Sequence, residues 1–105
     1  VTSSGAVIRF DSQKEARRYD HLILRQQAGE IRDLRLQVDF TLQEAYTDQK
    51  GRRIRAIRYR ADFTYKERDG RLVVEDVKCR PTRTREYLIK RKLMKEQRGI
   101  DITEV

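Results

Sequence analysis

Two stretches of sequence decide the fold of this chain, Tyr59-Arg60-Ala61-Asp62-Phe63 and Leu72-Val73-Val74-Glu75-Asp76-Val77-Lys78. Both are rich in the β-branched and aromatic residues that favour strands. Each also contains acidic residues where a buried strand is normally apolar. Asp76 and Lys78 are two residues apart, so their side chains lie on the same face of a strand. The sequence therefore predicts a β-hairpin with a cluster of charged side chains on one face.

The loop between these strands decides whether Asp62 and Asp76 share that face. A two-residue loop, Asp69-Gly70, points the two side chains away from each other. A three-residue loop, Arg68-Asp69-Gly70, places them directly opposite, and its glycine suits the left-handed position that such loops need. A functional site on the hairpin therefore predicts the three-residue loop or a compensating bulge.

The three-residue loop also predicts an apolar core on the opposite face of the hairpin. Its members are Ile57, Tyr59, Ala61, Phe63, Tyr65, Val73, Val77 and Cys79. Glu75 falls on that same face. We expect Glu75 to be structural or solvated, at an edge of the sheet, rather than a metal ligand.

Two helices are expected, one before and one after these strands. The first begins at Ser12, since Ser12 and Glu15 form a capping-box pattern, and it ends before Gly29, which suits the left-handed residue after a helix. The second covers about residues 84–98 and ends at Gly99. Its inward-facing apolar residues are predicted to be Ile89, Leu93 and Met94.

The remaining strands follow the alternation of apolar and polar residues. The predicted strands are 36–43, 54–66, 72–79 and a last short one within 100–105, with a connector at 31–34 and a turn at 48–51. Pro81 ends the third strand, because proline cannot donate to a ladder. The order α-β-β-β-α-β predicts a single domain, residues 1–105, of the α/β (α+β) class, with a mixed sheet flanked by helices.

Composition narrows the class of function. The 105 residues suffice for one domain, and the net charge is +8, with arginine more frequent than lysine. This favours a polyanionic partner, nucleic acid ahead of an anionic membrane. No apolar run reaches membrane-spanning length and no signal peptide is visible, so we expect a soluble protein. The single Cys79 excludes an internal disulfide and a cysteine zinc site and suits a reducing cytoplasm, while the lone His21 excludes a histidine-rich metal site.

The acidic residues of the hairpin suit the hydrolysis of a phosphodiester. Mg²⁺ prefers oxygen ligands, usually one or two carboxylates with water, and it lowers the pKa of bound water and stabilises anionic oxygens. Asp62 and Asp76 on neighbouring strands match that requirement. Lys78 on the same face can orient the attacking water or stabilise the transition state. Glu15, on the first helix, can complete the cluster as a further ligand or as a partner of the water.

Each of these residues also has a purely structural interpretation. The hairpin can be exposed, with Asp76 and Lys78 as a surface ion pair that contributes little to stability. Glu15 can be a member of the capping box and nothing more. Asp62 is the hardest to explain structurally, because aspartate is depleted in strands. His21 is expected on the surface of the first helix. Gln37 either flanks the site and contacts substrate or belongs to an ordinary polar strand face.

Two basic blocks lie on either side of the acidic cluster in the sequence. The first consists of Arg52, Arg53, Arg55, Arg58 and Arg60, and the second of Arg80, Arg83, Arg85, Lys90, Arg91, Lys92, Lys95 and Arg98. A solvated surface is the usual role of such runs. The guanidinium fork, however, suits phosphate oxygens. We therefore expect these side chains to contact the DNA backbone, which positions a duplex without reading its sequence.

The ordered set of motifs resembles the PD-(D/E)XK nuclease superfamily, whose core is α-β-β-β-α-β. The likeness rests on Asp62, then Asp76-Val77-Lys78, with Glu15 on a preceding helix. More narrowly, the chain is similar to a phage and prophage family of small proteins of that superfamily. The shared motifs are Phe10-Asp11-Ser12-Gln13-Lys14-Glu15-Ala16, Ala28-Gly29-Glu30-Ile31, Tyr59-Arg60-Ala61-Asp62-Phe63, Val74-Glu75-Asp76-Val77-Lys78 and Ile102-Thr103-Glu104-Val105. Ala61 stands where the superfamily name has proline, which weakens the motif match but leaves the aspartate that performs the chemistry.

This resemblance implies a restriction-endonuclease-like DNase or a Holliday junction resolvase that uses Mg²⁺ or Mn²⁺ and leaves a 5′-phosphate. It implies metal ligands at Asp62, Asp76 and Glu15, and a further contact from the main-chain carbonyl of Val77. A homodimer is expected because paired nicks need two copies of a domain of this size. The implied setting is the cytoplasm of a bacterial host that carries the phage or prophage.

The sequence therefore predicts a Mg²⁺-dependent endodeoxyribonuclease with Glu15, Asp62, Asp76 and Lys78 as its catalytic residues. Branched DNA from phage recombination or replication is the expected substrate, an expectation that rests on the resemblance alone. The alternative is a DNA-binding or inhibitor protein that keeps the nuclease fold without catalysis. A nuclease for RNA or single strands is a third hypothesis, although few aromatic side chains are available to stack on bases.

Overall fold

The structure is a computed structural model that describes residues 10, 12–78 and 83–105. The elements are α1 (Gln13–Gln27), β1 (Ile31–Gln43), β2 (Tyr46–Thr47), β3 (Arg53–Ile54), β4 (Ile57–Glu67), β5 (Leu72–Asp76), α2 (Arg85–Arg98) and β6 (Thr103–Glu104). Cys79, Arg80 and Pro81 lie outside the described residues, as do the predictions made for them. Within the described ranges, neither helix is long and apolar enough to cross a membrane.

The main sheet has four strands in the order β1-β4-β5-β6. The first two neighbouring pairs are antiparallel, and β5 and β6 are parallel. Helix α2 connects the parallel pair, as a parallel neighbour requires a crossover. The strands β2 and β3 lie between β1 and β4 in the sequence and form a separate two-stranded sheet. The predicted α+β class with a mixed sheet is confirmed, and the separate hairpin is an addition to it.

The register of β4 and β5 is the one that the three-residue loop predicts. Phe63 pairs with Glu75, so the next position along the strands places Asp62 opposite Asp76. The loop ends at Gly70, whose φ of 88° lies in the left-handed region that glycine adopts without strain. The choice of glycine at the end of this loop therefore fixes which face the aspartates occupy.

Three predicted strand boundaries are wrong. The strand predicted over 72–79 ends at Asp76, so Val77 and Lys78 follow β5 without being part of it. The segment 31–34, predicted to be a connector, belongs to β1, which begins at Ile31. Its pairing with β4 shifts by one residue around Asp33, whose φ is 59°. A bulge of this kind interrupts the alternation of the sequence while the strand continues. The predicted strand 54–66 is instead two strands, because β3 ends at Ile54 and β4 begins at Ile57.

The core consists of two clusters that β4 connects. One contains Leu42, Tyr59, Ala61, Val74, Tyr87, Met94 and Ile102, and the other contains Leu22, Ile31, Phe63 and Tyr65. Helix α2 supplies residues to the first cluster and α1 to the second. β4 therefore contributes to the core as predicted, with Tyr59 and Ala61 in the first cluster and Phe63 and Tyr65 in the second.

Two residues predicted to be in the core are exposed. Ile89 of α2 is 53% exposed, and Ile57, at the start of β4, is 37% exposed. The face of α2 that packs on the sheet is defined by Tyr87 and Met94 instead. Tyr87 reaches the core because it lies in the first turn, three residues after Thr84, whose hydroxyl caps the helix by accepting from the Tyr87 N–H.

The predicted ends of the helices are confirmed. The hydroxyl of Ser12 accepts a hydrogen bond from the Glu15 N–H at 3.1 Å. Gly29 follows α1 with a φ of 77°, and Gly99 follows α2 with a φ of 68°. The Ser12 cap holds Glu15 in the first turn of α1, on the side of the helix that is buried.

Candidate active site

The carboxyl groups of Asp62 and Asp76 meet between β4 and β5. They lie opposite each other on the two strands, and Asp62 Oδ2 accepts from the main-chain N–H of Val77 at 2.7 Å. Asp76 is buried and Asp62 is half-buried. The structure thus brings together the two aspartates that the register predicted to be neighbours.

The surroundings of this pair disfavour the ionised form of Asp62. Burial, together with the charges of Asp76 and Glu15, raises the pKa of Asp62 to about 7, against the opposing effect of the Val77 N–H. Like charges that share a site disfavour the ionised form in this way. An added cation would relieve that repulsion, so the electrostatics of the pair suit cation binding.

Lys78 and Tyr59 fix the position of the Asp76 carboxylate. Lys78 Nζ lies 3.1 Å from Asp76 Oδ1, and the Tyr59 hydroxyl donates to Asp76 Oδ2 at 2.7 Å. Lys78 Nζ also lies 4.2 Å from the centroid of the Tyr87 ring, a cation–π contact. Burial and the hydrogen bond to Asp76 raise the pKa of Tyr59, which keeps this hydroxyl protonated as a donor. The carboxylate is therefore oriented by two donors that hold it from either oxygen.

Glu15 joins the cluster from α1. It is buried, and its Oε1 accepts from Gln37 Nε2 at 3.0 Å. Because its main-chain N–H is the group that Ser12 caps, the cap and the carboxylate use different atoms of the same residue. A capping role and a place in the acidic cluster are therefore compatible.

Gln37 lies on β1 directly across from Asp62, since the flanking pairs are Leu36 with Phe63 and Val38 with Ala61. Its φ of 55° is in the left-handed region, which a residue with a side chain adopts at a cost of about 1–3 kcal/mol. Of the two alternatives for Gln37, a place beside the acidic residues or an ordinary polar strand face, its hydrogen bond to Glu15 favours the first. Strained residues of this kind cluster at functional sites, where the surrounding structure holds them.

Glu75 is fully buried, so the expectation of an edge or solvated position is wrong and that of a structural role is correct. Its two carboxylate oxygens accept from Arg18 Nε at 2.8 Å and from Arg18 Nη2 at 2.6 Å, and one of them accepts from the Tyr65 hydroxyl as well. Arg18 lies three residues after Glu15 on α1. The ion pair therefore joins the helix that supplies Glu15 to the strand that supplies Asp76.

The donor set fits a hard divalent cation, although its oxygens already have protein partners. Among residues 10, 12–78 and 83–105, no three histidine, cysteine or acidic side chains form a ready-made metal-ligating group. Mg²⁺ in proteins is commonly held by one or two carboxylates and completed by water. Asp62 and Asp76 meet that need together, since they lie opposite each other on neighbouring strands, and burial and neighbouring carboxylates raise the pKa of Asp62.

Clefts open on two sides of the cluster. One, of about 190 Å³, is lined by Asp76 and Lys78 together with Arg60, Lys90 and Glu86, the ion-pair partner of Lys90. The other, of about 230 Å³, lies beside Val77 and is lined by Lys14, Arg17, Arg18 and His21 of α1. His21 is exposed, as predicted. A phosphate chain that crosses the acidic cluster would meet cationic side chains on both sides.

The predicted DNA-contacting residues divide into two groups. Several are tied to acidic partners, namely Arg52 to Asp48, Arg60 to Asp39, Arg83 and Arg91 to Glu104, Lys90 to Glu86 and Lys95 to Asp101. The others that the structure describes are exposed and form no ion pair with any other described residue, namely Arg53, Arg55, Arg58, Arg85, Lys92 and Arg98, and Arg80 lies outside the described residues. The unpaired cations therefore lie in two places, from β3 to the start of β4 and on α2.

Tyr59 and Arg18 belong to the site, yet their roles were missed by sequence reasoning. Tyr59 was assigned to the core only, although a buried tyrosine hydroxyl normally has a hydrogen-bond partner. Its partner Asp76 is 17 residues away, and Glu75, the partner of Arg18, is 57 residues away. Neither contact has a local signal that identifies the partner.

Comparison with known proteins places the chain in a family without assigning it an activity. A family model described as "Protein of unknown function (DUF1064)" matches residues 3–103. No curated protein matches the chain, and no solved structure matches it.

Proposed function

We propose that this chain, which belongs to the DUF1064 family of proteins of unknown function, is a divalent-metal-dependent DNA endonuclease. The observation that supports this is the convergence of Asp62, Asp76 and the buried Glu15, with Lys78 Nζ 3.1 Å from Asp76. The chain has a net charge of +8 and nevertheless collects three carboxylates at one place. A basic protein with such an acidic centre suits a polyanionic substrate that is hydrolysed through a cation.

In this proposal Asp62 and Asp76 hold the metal ion, with Val77 contributing its main-chain carbonyl. Mg²⁺ or Mn²⁺, when bound, supplies neutralisation of anionic oxygens and a lower pKa for bound water. The ammonium group of Lys78 lies beside Asp76, where it stabilises negative charge that develops on the phosphate or orients the attacking water. Glu15 acts as a further ligand or as a partner of that water.

Two neighbours act as positioning residues for these groups. Tyr59 holds the Asp76 carboxylate through its hydroxyl, and Gln37 holds Glu15 through its side-chain amide. Groups that are held before substrate arrives need little reorganisation during the reaction, which is where much electrostatic catalysis originates.

Branched DNA, such as a four-way junction, is the substrate we propose within this class. It rests on the resemblance of the motifs to the PD-(D/E)XK superfamily, as do the homodimer and the phage- or prophage-carrying host cytoplasm. A resolvase needs two symmetrically placed sites, and a domain of 105 residues with one acidic cluster supplies one of them.

Cleavage assays test the activity and the substrate together. We expect Mg²⁺-dependent nicking of supercoiled plasmid, linear duplex and four-way-junction DNA, with the junction cut fastest, and no cleavage in EDTA. The products are separated on denaturing gels after labelling each strand in turn. If none of the three substrates is cut with either Mg²⁺ or Mn²⁺, the enzyme proposal fails, and stable DNA binding without cleavage favours the non-catalytic alternative.

Metal binding gives a readout that does not depend on cleavage. At a Mn²⁺ concentration about 100 times the dissociation constant, ligand binding stabilises the folded state by about 2.7 kcal/mol. For a domain of this size that raises the melting temperature by roughly 10–20 °C. We expect this shift in the native protein and in Asp20→Asn, which alters an exposed carboxylate of α1. An equal shift in the double variant Asp62→Asn/Asp76→Asn would show that the metal binds elsewhere.

A further inference from the structure

Residues 44–58, here called the arm, consist of the β2–β3 hairpin and the segment that joins it to the main sheet, up to the first two residues of β4, Ile57 and Arg58, which pair with β1. Within it β2 and β3 pair with each other, Tyr46 with Ile54 and Thr47 with Arg53, and they join no other strand of the described chain. None of the residues 44–58 is buried. A two-stranded hairpin that buries no apolar face gains little stability of its own.

The turn of the arm is nevertheless well ordered by its own hydrogen bonds. The Asp48 N–H donates to the Arg52 carbonyl at 2.9 Å, and Asp48 Oδ1 accepts from the N–H groups of Lys50 and Arg52 at 2.9 Å each. Asp48 Oδ2 accepts from Arg52 Nε. The arm therefore closes on itself without help from the core, and its acidic residue is used in that closure.

The arm is strongly basic. It contains five cations, Lys50, Arg52, Arg53, Arg55 and Arg58, against two carboxylates, those of Glu44 and Asp48. Three of the arginines, at 53, 55 and 58, are exposed and form no ion pair with the described residues. A solvated hairpin needs no such excess of arginine over acid, whereas a phosphate backbone is recognised by it.

The arm lies at a definite distance from the acidic cluster. It enters β4 directly, and β4 carries Asp62. At about 3.3 Å per residue, Arg58 is about 13 Å from Asp62 along the strand, and Arg53 is at most about 30 Å away. The molecule measures 54 × 30 × 30 Å, so it has the length to separate two contacts on one DNA molecule by this distance.

We propose that the arm clamps the duplex flank of the DNA on one side of the cleavage position. This rests on the proposed nuclease function and specifies where its substrate is held. Duplex DNA rises about 3.4 Å per base pair, so Arg58 reaches phosphates roughly four base pairs from the phosphodiester at the acidic cluster, and the rest of the arm reaches roughly nine base pairs at most. Duplex is favoured over single strands because the arm offers a single aromatic ring, Tyr46, which is 48% exposed, and single-strand binding depends on stacking several bases.

The clamp predicts that each bound protomer depends on flank length on one side only. Binding is measured in EDTA, so that cleavage plays no part. The duplex extends 12 base pairs on both sides of the mapped cleavage position, or of the centre of the protected region in a footprint if no cleavage occurs, and two further duplexes are trimmed to three base pairs on one side or the other. We expect a bound monomer to lose about tenfold in affinity on trimming one flank and little on trimming the other. A symmetric homodimer places one arm on each flank, so we expect it to lose affinity on trimming either flank, and the arm variant to lack that loss.

The double variant Arg53→Gln/Arg55→Gln removes two cations from the arm without touching a buried residue. We expect it to bind the long duplex about tenfold more weakly, with a salt dependence lower by about two phosphate contacts, and to be insensitive to trimming the arm-side flank. The matched control is Lys66→Gln/Arg71→Gln, which removes the same charge at the opposite end of β4 and the start of β5. That control is expected to keep the dependence on flank length.

The outcomes separate the arm from the nuclease proposal. Native cleavage together with unchanged binding by the arm variant overturns the clamp and leaves the nuclease standing. Absent cleavage together with the one-sided flank dependence overturns the nuclease and leaves the arm as a duplex-binding element. A native protein that loses affinity equally on trimming either flank, with the arm variant behaving alike, also overturns the clamp.

Discussion

Asp62→Asn is expected to lower the rate of metal-dependent DNA cleavage by about 10³-fold or more while leaving DNA affinity in EDTA unchanged. Removal of one preorganised electrostatic group at a reacting centre typically costs 10²–10³-fold, and Asp62 is proposed to hold the metal as well. Initial rates on a labelled junction, with binding measured separately by fluorescence anisotropy, check this expectation. Full activity in the variant would remove Asp62 from the catalytic site.

The melting temperature of Asp62→Asn shows whether lost cleavage comes from the missing carboxylate or from a damaged fold. The pKa of Asp62 is raised to about 7, chiefly by burial, above its ordinary value of 3.8. A raised pKa in the folded state means that Asp62 supports folding below about pH 4 and that this support is lost as the pH rises to about 7. In metal-free buffer at pH 8 we therefore expect Asp62→Asn to melt at a higher temperature than the native protein, whereas at pH 4 the two should converge.

The matched control for this experiment is Asp20→Asn. Asp20 is an exposed carboxylate on α1, outside the acidic cluster, so the same chemical change there should alter neither the cleavage rate nor the pH dependence of melting. A loss of cleavage in Asp20→Asn comparable to that of Asp62→Asn would point to a general effect of charge rather than to a site.

Arg18→Leu is expected to destabilise the folded protein by about 3 kcal/mol or more, because it leaves the Glu75 carboxylate buried without its bidentate partner. For a domain of this size, that loss lowers the melting temperature by roughly 10–20 °C. The ring hydroxyl of Tyr65 stays beside Glu75 but cannot neutralise its charge. Urea unfolding of the two proteins, followed by circular dichroism, measures the difference in free energy directly.

The double variant Arg18→Leu/Glu75→Leu separates the ion pair from the packing around it. Replacing both members of a buried pair with apolar residues is often neutral or stabilising, since no charge then remains to be solvated. We expect the double variant to recover most of the stability lost in Arg18→Leu. Arg17→Leu, on the exposed side of the same helix, is the control and should stay within about 0.5 kcal/mol of the native protein. A double variant that is as unstable as the single one would mean that Arg18 acts through packing.

Much of the acidic cluster could be predicted from sequence because its determinants are local. Asp76 and Lys78 share a face through the period of two in a strand, and Gly70 selects a loop length that places Asp62 opposite Asp76. Ser12 starts α1 through a hydrogen bond to a residue three positions away. Each of these relations depends on residues that are close in the sequence, so the local pattern predicts it.

The strand boundaries were predicted less well because bulges and exposure depend on the partner strand. Asp33 leaves the regular alternation where β1 pairs with β4, and Ile57 is exposed where β4 leaves the core, and neither event has a marker in the local pattern. The same holds for the end of the arm, since residues 54–58 were predicted to be part of one long strand, which the structure interrupts between Ile54 and Ile57.

By itself the sequence determined the α+β class, the central hairpin and the spacing of two between Asp76 and Lys78, since these follow from periodicity and turn chemistry. It left two loop lengths open, and the structure shows the one that places Asp62 opposite Asp76. The tertiary structure alone decided that Glu75 is buried against Arg18, that Tyr59 holds Asp76 and that Gln37 holds Glu15. The physical reason is distance along the chain. These contacts join residues 17 to 57 positions apart, and their geometry is set by how the helices and strands pack.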